Sequence, residues 1–433
     1  MAELKNFLQK IECDGLLGHS LLVMSLLHIS SAANLVFHMA MGRLLSPSDY
    51  GVLAAMLGAF FIFYTPLFFS IQNTMAHFSS QLQQEGRCSD IRFLVWTWVK
   101  KCAGVGLLVL LLIYLVRNPL VEGFHLDSSV PVILVAVILF ISVFMPIFGG
   151  AFQGMQRFGL MAAASHSWTL IRLAIAVPLV WWLSSSVEYA LVAHLLSVLF
   201  GVWIGLRALS REIPDPVSSG RPLEHADRYF FGSLAALFFY SILMNADVVM
   251  VKIFFSDESA YGPYARASVI GRMIVFLSQP IACALFPKVV ARRGMSPESL
   301  AALLRAVALS ALLVAGIAGV FSLWPKLPLA VLFNETSPSA ELIGTVRGVV
   351  WGMTPLSLVF LIMNFELAQN RFASLIPLSI CSVIFIAGFS FFHPSPIWAA
   401  GWLLLAALGS LFALVGQVIY QKRIMLKAES DLS

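Results

Sequence analysis

The chain has 433 residues, of which 59% are hydrophobic and only 11% are charged, and its mean hydropathy is +0.89. A soluble domain carries about 25% charged residues, so this composition excludes a soluble globular protein. The formal net charge of +5 at pH 7 does not indicate nucleic-acid binding, because the basic residues follow the membrane topology described below.

Apolar runs of about 20 residues, the length that crosses about 30 Å of hydrocarbon, recur along the chain. They do not alternate apolar and polar residues as the strands of a membrane β-barrel do, so we predict helices. The twelve predicted spans lie at about 19–43, 51–80, 100–121, 131–152, 158–183, 187–209, 229–253, 262–288, 301–324, 345–369, 372–392 and 396–420.

The predicted fold class is therefore an all-α polytopic membrane protein with two six-helix lobes. The longest segment between spans is rich in Pro, Ser and charge, which is typical of a linker. Most of the 27 Lys and Arg residues fall in inner segments if the N-terminus is cytoplasmic, so we predict that both termini are cytoplasmic. The predicted division is an N-terminal lobe at 1–209, a cytoplasmic linker at 210–228, a C-terminal lobe at 229–420 and a cytoplasmic tail at 421–433.

The first predicted helix is unusually polar for a membrane span. His28, Ser31, Asn34 and His38 share one stripe at helical spacing, and the span contains no Asp or Glu. Polar residues inside a membrane face a cavity or a partner. We interpret Asn34 and His38 as cavity-lining residues; the alternative is hydrogen bonding between helices of the first lobe.

Arginine occurs inside two predicted spans. Arg172 lies in the fifth span, and Arg266, Arg272 and Gln279 lie in the eighth, where Gln279 shares the face of Arg272. A guanidinium group binds phosphate oxygens bidentately, so Arg172 and Arg272 together are predicted to bind a pyrophosphate between the lobes. The alternative is that these arginines form structural ion pairs.

Two carboxylates lie inside predicted spans. Asp247 is in the seventh span and Glu366 is near the cytoplasmic end of the tenth. Asp247 is positioned to neutralise Arg266 or Arg272, which makes it a candidate for charge pairing or for ion coupling. Glu366 is interpreted as an interfacial carboxylate or as a coupling residue. Proton or sodium coupling is the form that we expect, with no bound cofactor.

Two short motifs recur in the second half of the chain at nearly equal spacing. "MGRLLSPSDYG", which begins at Met41, resembles "VKIFFSDESAYG", which begins at Val251, and "MQRFG" from Met155 resembles "QNRFA" from Gln369. Such repetition indicates duplication of a six-helix unit, with copies related by an axis along the membrane normal. The alternative is that turns before helices reuse Gly, Tyr, Ser and Asp.

These motifs, together with "GGAFQGMQRFG" and "NADVVMVKIFFSDESAYGPYARA", resemble the polysaccharide flippases (Wzx-type) of the MOP superfamily, which includes multidrug, oligosaccharidyl-lipid and polysaccharide exporters. The resemblance implies two pseudo-symmetric lobes around a cavity that opens to alternate sides. It also implies export of an undecaprenyl-pyrophosphate-type oligosaccharide across the bacterial cytoplasmic (inner) membrane. Partners would be this lipid-linked substrate, membrane lipid and the polymerase of polysaccharide assembly.

Two other function classes fit the sequence less well. A cation-coupled multidrug (MATE-like) antiporter recruits its cation with carboxylates, which the first helix lacks. A membrane glycan polymerase or ligase needs positioned acid–base groups and usually a large external loop, and the sequence offers neither. No catalytic constellation and no metal motif is found. We therefore predict a transporter that is not an enzyme.

Overall fold

A computed structural model of the chain describes residues 16–213, 226–290, 297–369 and 371–430. Every regular element in these ranges is a helix. The helices are α1 (Leu16–Leu44), α2 (Pro47–Gln84), α3 (Cys88–Leu115), α4 (Arg117–Gly123), α5 (Val130–Ser142), α6 (Met145–Gly154), α7 (Phe158–Ser165), α8 (Ser167–Trp182), α9 (Val187–Glu212), α10 (Ala226–Phe254), α11 (Glu258–Val290), α12 (Pro297–Leu323), α13 (Lys326–Phe333), α14 (Ala340–Ala368), α15 (Leu375–Phe391) and α16 (Ile397–Ser430).

Within the described residues, nine helices are long and apolar enough to cross a membrane. They are Pro47–Gln84, Cys88–Leu115, Val130–Gly154, Phe158–Trp182, Val187–Glu212, Phe230–Phe254, Pro297–Leu323, Ala340–Ala368 and Ile397–Arg423. The other three predicted spans correspond to α1, α11 and the shorter apolar helix α15. The prediction of an all-α, multi-pass membrane protein is therefore confirmed.

Three of the predicted spans cover two helices each. The span at 100–121 covers the C-terminal half of α3 and most of α4. The span at 131–152 forms α5 and α6, and Pro146 lies in the first turn of α6. Proline has no N–H and is compatible with a helix start, where that donor would be unpaired anyway. The span at 158–183 forms α7 and α8, which meet at His166 with φ −125°. As a result, Arg172 lies in the second turn of α8.

The described residues form two compact units. The first contains the described residues within Met1–Met41, Leu67–Glu122 and Leu126–Phe231. Its core joins buried apolar side chains from α2, α3, α6, α7 and α9, among them Phe78, Trp98 and Phe148. Because lipid tails are as apolar as these side chains, close packing rather than exclusion of water holds such a core together.

Two glycines on α6 allow the close packing of α6 against α2 in the first unit. A Cβ atom at Gly150 would overlap the carbonyl of Gln72, and one at Gly154 would overlap the carbonyl of Ala76. The two glycines are four residues apart and therefore lie on one face of the helix. Small residues at this spacing let two helix backbones approach each other within a membrane.

The second unit contains the described residues within Gly42–Pro66, Gly123–His125 and Gly232–Ser433. Helix α14 is central to it and packs against α11, α12 and α16. Buried side chains that include Val349, Met353 and Leu356 follow one another along α14 at helical spacing. The N-terminal half of α2 packs within this unit, since the unit includes the residues up to Pro66.

The predicted domain boundaries stay a prediction. Most of the proposed linker at 210–228 lies outside the described residues, as do residues 431–433 of the tail. The described part of the tail continues α16 as helix as far as Ser430.

Candidate functional site

The first unit buries a positive charge at Arg172. The side chain is fully buried on α8, and one guanidinium NH2 group donates a hydrogen bond to Oδ1 of Asn34 on α1. The guanidinium carbon lies 3.7 Å from the centre of the Phe37 ring and 4.9 Å from that of Trp168. Asn34 and Phe37 lie one turn apart on α1, and Trp168 lies one turn before Arg172 on α8. Each pair therefore shares one face of its helix.

No carboxylate in the described part of the chain forms an ion pair with Arg172. Two of its nitrogens, Nε and one terminal nitrogen, are buried without a hydrogen-bond partner there. A charge at mid-bilayer costs about 2.5–3.5 kcal/mol on insertion scales, and a desolvated cation–π contact returns about 2 kcal/mol. The aromatic rings therefore stabilise the cation but leave N–H donors unused, which suits an anionic ligand.

Neighbouring side chains extend this cluster. His194 of α9 stacks on Trp168, with ring centres 5.0 Å apart, and Ser30 Oγ hydrogen-bonds Thr169 Oγ1 at 3.0 Å. His38, which was predicted to line the cavity, is half-buried on α1 with its ring edge against Phe37. The sequence singled out Arg172, Asn34 and His38 as separate site residues but did not identify the aromatic residues; Trp168, four positions before Arg172, was the available signal.

In the second unit, Asp247 is the centre of a hydrogen-bonded cluster. Arg272 donates to Oδ1 of this carboxylate at 2.8 Å, while Ser268 and Tyr264 donate to Oδ2 at 2.6 and 3.3 Å. The same arginine donates from Nε to the carbonyl of Met244 at 3.0 Å. Tyr264, Ser268 and Arg272 are spaced by four residues and so share the face of α11 that meets α10.

The ion pair that the sequence left open as an alternative for Arg272 is thus present. Asp247 is fully buried, and the Arg272 side chain is 12% exposed. The Arg272–Asp247 pair therefore carries no net charge, and both oxygens of the carboxylate accept hydrogen bonds. Ser268 was missed in the sequence, although its position one turn before Arg272 pointed to the same face.

Arg266 is also paired. Its NH1 group lies 3.1 Å from Oε2 of Glu335, and its guanidinium carbon lies 5.8 Å from the ring centre of Phe333. Glu335 follows α13, whose end is formed by Asn334 in the left-handed conformation with φ 56°. The left-handed residue reverses the chain direction after α13, so that the Glu335 carboxylate lies next to Arg266 of α11. The sequence did not identify Glu335 as a partner.

The side chain of Glu366 stabilises the turn between α14 and α15. Its side chain is buried, and Oε2 accepts the backbone N–H of Ser374 at 2.8 Å, just before α15 begins. A carboxylate at a helix N-terminus is favoured by the helix dipole. Oε1 has no hydrogen-bond partner within the described residues. The side chain of Gln279, the remaining predicted site residue, lies outside the described residues.

The two repeated Tyr-Gly junctions contact each other within the second unit. The ring of Tyr261 packs directly against Gly51, and the backbone of Pro47 packs against Gly262. A side chain at either glycine would overlap these neighbours, which explains why both copies carry glycine there. The hydroxyl groups of Ser48 and Tyr261 are 2.6 Å apart and form a hydrogen bond.

Cations at the ends of the spans surround this junction. The Lys252 ammonium lies 3.7 Å from the ring centre of Tyr261. Arg43 donates to the carbonyls of Val331 and Leu332 at the end of α13, the latter at 3.2 Å. Arg43 thus joins the last turn of α1 to α13, and Lys252 joins α10 to α11.

The described residues contain no group of three or more His, Cys, Asp or Glu side chains that would hold a metal ion. Substrate contact by Arg172, Arg266, Arg272, Asn34, His38 and Gln279 stays a prediction, as does ion coupling through Asp247 or Glu366. The predicted meeting of Arg172 and Arg272 in one cavity concerns residues of different units and stays a prediction as well.

Residues 40–335 match a family model described as polysaccharide biosynthesis protein. The match covers more than half of the chain and includes Arg172, Trp168 and the whole Asp247 cluster, whereas Asn34 and Phe37 lie before it. The chain belongs to the polysaccharide biosynthesis protein family. Its motifs predicted this family, and the prediction is confirmed. No curated protein sequence matches the chain.

Solved structures share the fold of this polysaccharide biosynthesis protein. The inward-facing conformation of a multidrug resistance MATE family transporter of the MOP superfamily has a TM-score of 0.72 at 13% identity and covers 93% of this chain and 96% of its own. The lipid II flippase MurJ, in an inward closed conformation, has a TM-score of 0.65 at 12% identity, with 92% and 87% covered. At these identities the similarity concerns the fold alone, and it confirms the predicted MOP-like fold with two six-helix lobes.

Proposed function

We propose that this protein is a flippase that moves an isoprenoid-pyrophosphate-linked oligosaccharide across the bacterial cytoplasmic membrane by alternating access. Membership of a polysaccharide biosynthesis family supports the pathway, and the fold shared with MOP transporters supports transport. The observation that carries the substrate class is Arg172, a buried cation with unused N–H donors and no carboxylate partner in the described residues.

The proposed role of Arg172 is to bind a phosphate oxygen of the substrate. Hydrogen bonds from a guanidinium to phosphate are strong in a low-dielectric site, and the two unpartnered nitrogens are the donors available for them. Phe37 and Trp168 keep the cation in place while the site is empty. A pyrophosphate needs further donors, and Arg272 would serve only if its ion pair with Asp247 opened.

Opening that pair is the proposed point of energy coupling. A proton or a sodium ion at Asp247 would neutralise the carboxylate and release Arg272 toward an anion. Glu366, whose Oε1 is buried without a partner in the described residues, is the second candidate carboxylate. We further propose that both termini are cytoplasmic and that the exported glycan passes to a polysaccharide polymerase.

A cation-coupled multidrug exporter is the second candidate function. It is favoured by the similarity to MATE transporters, whose TM-scores reach 0.72. The charges distinguish the two candidates: a buried, unpaired arginine suits an anionic substrate and opposes a cationic drug. Uptake of a cationic dye into vesicles, compared with export of a lipid-linked glycan by the same preparation, separates them.

Substitution of Arg172 tests the proposal. Arg172→Met removes the charge but keeps much of the volume, so membrane abundance and thermal stability should be unchanged or higher, because an unpaired buried charge is lost. Export of the lipid-linked glycan should fall roughly tenfold to a hundredfold, the range expected for losing a hydrogen bond to a charged group. Arg172→Lys should retain part of the export and Arg172→Glu should retain least.

Arg207 supplies the matched control. It lies four residues after Trp203, as Arg172 lies four residues after Trp168, and its guanidinium carbon is 5.9 Å from the Trp203 ring centre. This arginine, however, is exposed on α9. Arg207→Met should leave export unchanged. An Arg172→Met protein that exports normally, or one whose export falls only in proportion to its abundance, would refute the proposal.

A further inference from the structure

A cavity of about 440 Å³ opens in the second unit at the end of α12. Its lining includes Leu323, Trp324 and Leu327 from the end of α12 and the start of α13. Lys326 and Arg347 supply two cations to the same cavity. Neither Lys326 nor Arg347 belongs to the candidate site described above.

The cavity lies where a membrane span ends. Helix α12 is apolar enough to cross the membrane and ends at Leu323, so the residues that follow enter the headgroup region. Leu323, Trp324 and Leu327 are 70%, 61% and 52% exposed. Exposed tryptophan beside exposed leucine is typical of the membrane–water interface, where one end of the indole is apolar and the other is polar.

The charges in the cavity are unbalanced. Arg347 donates from Nε to the carbonyl of Ser322 at 2.9 Å, which fixes its guanidinium at the rim. Neither Arg347 nor Lys326 forms an ion pair within the described part of the chain. Glu341 is on the same helix as Arg347, but six residues before it and therefore about 120° around the axis, and it does not line the cavity. Ile343, one turn before Arg347, supplies an apolar wall instead.

We infer that this cavity binds the headgroup of an anionic phospholipid. Lys326 and Arg347 would hold the phosphate, and the acyl chains would run along the exposed leucines. Basic side chains near a membrane surface attract anionic headgroups electrostatically. Exposed apolar side chains rather than buried polar residues line the cavity, which favours a bulk phospholipid over the pyrophosphate of a carrier lipid. The inference does not depend on the proposed transport function.

Phospholipid binding to the purified full-length protein tests the inference. Native mass spectrometry would follow titration with phosphatidylglycerol, and separately with phosphatidylcholine as the zwitterionic control. The double variant Lys326→Gln/Arg347→Gln should bind phosphatidylglycerol roughly thirtyfold more weakly, because each basic residue near the surface contributes roughly fivefold in affinity. Binding of phosphatidylcholine should be weak and unchanged. Arg347→Lys should retain most of the affinity because it keeps the charge.

Arg117 provides the matched control for this site. It also lies at the end of a span, donates to a backbone carbonyl, that of Tyr114, and contacts an aromatic ring. Arg117→Gln should leave phosphatidylglycerol affinity unchanged. If the double variant does not fold, Lys326→Gln alone should lower the affinity roughly fivefold, since Lys326 makes no hydrogen bond within the described residues.

Three results would overturn the inference. The first is wild-type affinity for phosphatidylglycerol in the double variant. The second is equal affinity of the native protein for phosphatidylcholine. The third is a loss of affinity in the double variant that appears with a polyprenyl pyrophosphate as probe but not with phosphatidylglycerol, because the cavity would then bind the carrier lipid.

Discussion

Neutralising Asp247 should destabilise the second unit through Arg272. Asp247→Asn keeps the shape of the side chain, but its amide nitrogen cannot accept the hydrogen bonds that Ser268 and Tyr264 now donate to Oδ2. The variant also leaves the Arg272 guanidinium, 12% exposed, without a counter-charge. Breaking one partner of a buried pair costs about 3–5 kcal/mol, and the residual exposure places this pair near the lower end, at about 3 kcal/mol.

Thermal denaturation of the detergent-purified protein measures this effect. In a chain of this size about 3 kcal/mol corresponds to a decrease of roughly 3–6 °C in Tm, because the entropy of unfolding grows with chain length. The double variant Asp247→Asn/Arg272→Met removes both charges and should recover most of the loss. A double-mutant cycle then gives the coupling free energy, which we expect to be about 2–3 kcal/mol.

Glu335→Gln is the matched control for Asp247→Asn. It neutralises the carboxylate of the second ion pair, between Arg266 and Glu335, in which the Glu335 side chain is 32% exposed. Arg266 is as buried as Arg272, at 12% exposed, but the Glu335 carboxylate is partly solvated whereas Asp247 is fully buried, so this variant should lower Tm less than Asp247→Asn does. If Asp247→Asn is as mild as Glu335→Gln, or if Arg272→Met adds further loss on top of Asp247→Asn, the argument from a desolvated pair is refuted.

Further predictions concern the junction and the topology. Tyr261→Phe removes the hydrogen bond to Ser48 and should lower the free energy of unfolding by about 0.5–1.5 kcal/mol. Gly51→Val must displace the Tyr261 ring and should lower membrane abundance more strongly. Equal effects of the two variants on expression and Tm would contradict this ranking. A reporter fused after Gly220 should be cytoplasmic and one placed after Asp127 external, as the distribution of basic residues predicts, and reversed reporter activity would contradict the orientation.

Some properties of this protein follow from the sequence by itself. The length and apolarity of its runs determine that the chain is a helical membrane protein, because a backbone inside the membrane must pair within a helix or a closed barrel and these runs lack the alternation of barrel strands. The repeated Tyr-Gly junction and the accompanying motifs identify the family, since they are local patterns readable without coordinates. Arg172 and Asn34 were each identifiable as well, because polar and charged residues inside a membrane span are costly and therefore informative.

Only the tertiary structure decided what each charge contacts. Arg272 and Arg172 look alike in sequence, yet one is neutralised by Asp247 and the other lies between aromatic rings. Helical periodicity reports which residues share a face of one helix, but not which helix lies opposite or at what height. Pairing of Arg266 with Glu335 depends on a left-handed residue that turns the chain after α13. Such partners are separated by many residues and are fixed by packing, so no local pattern in the sequence specifies them.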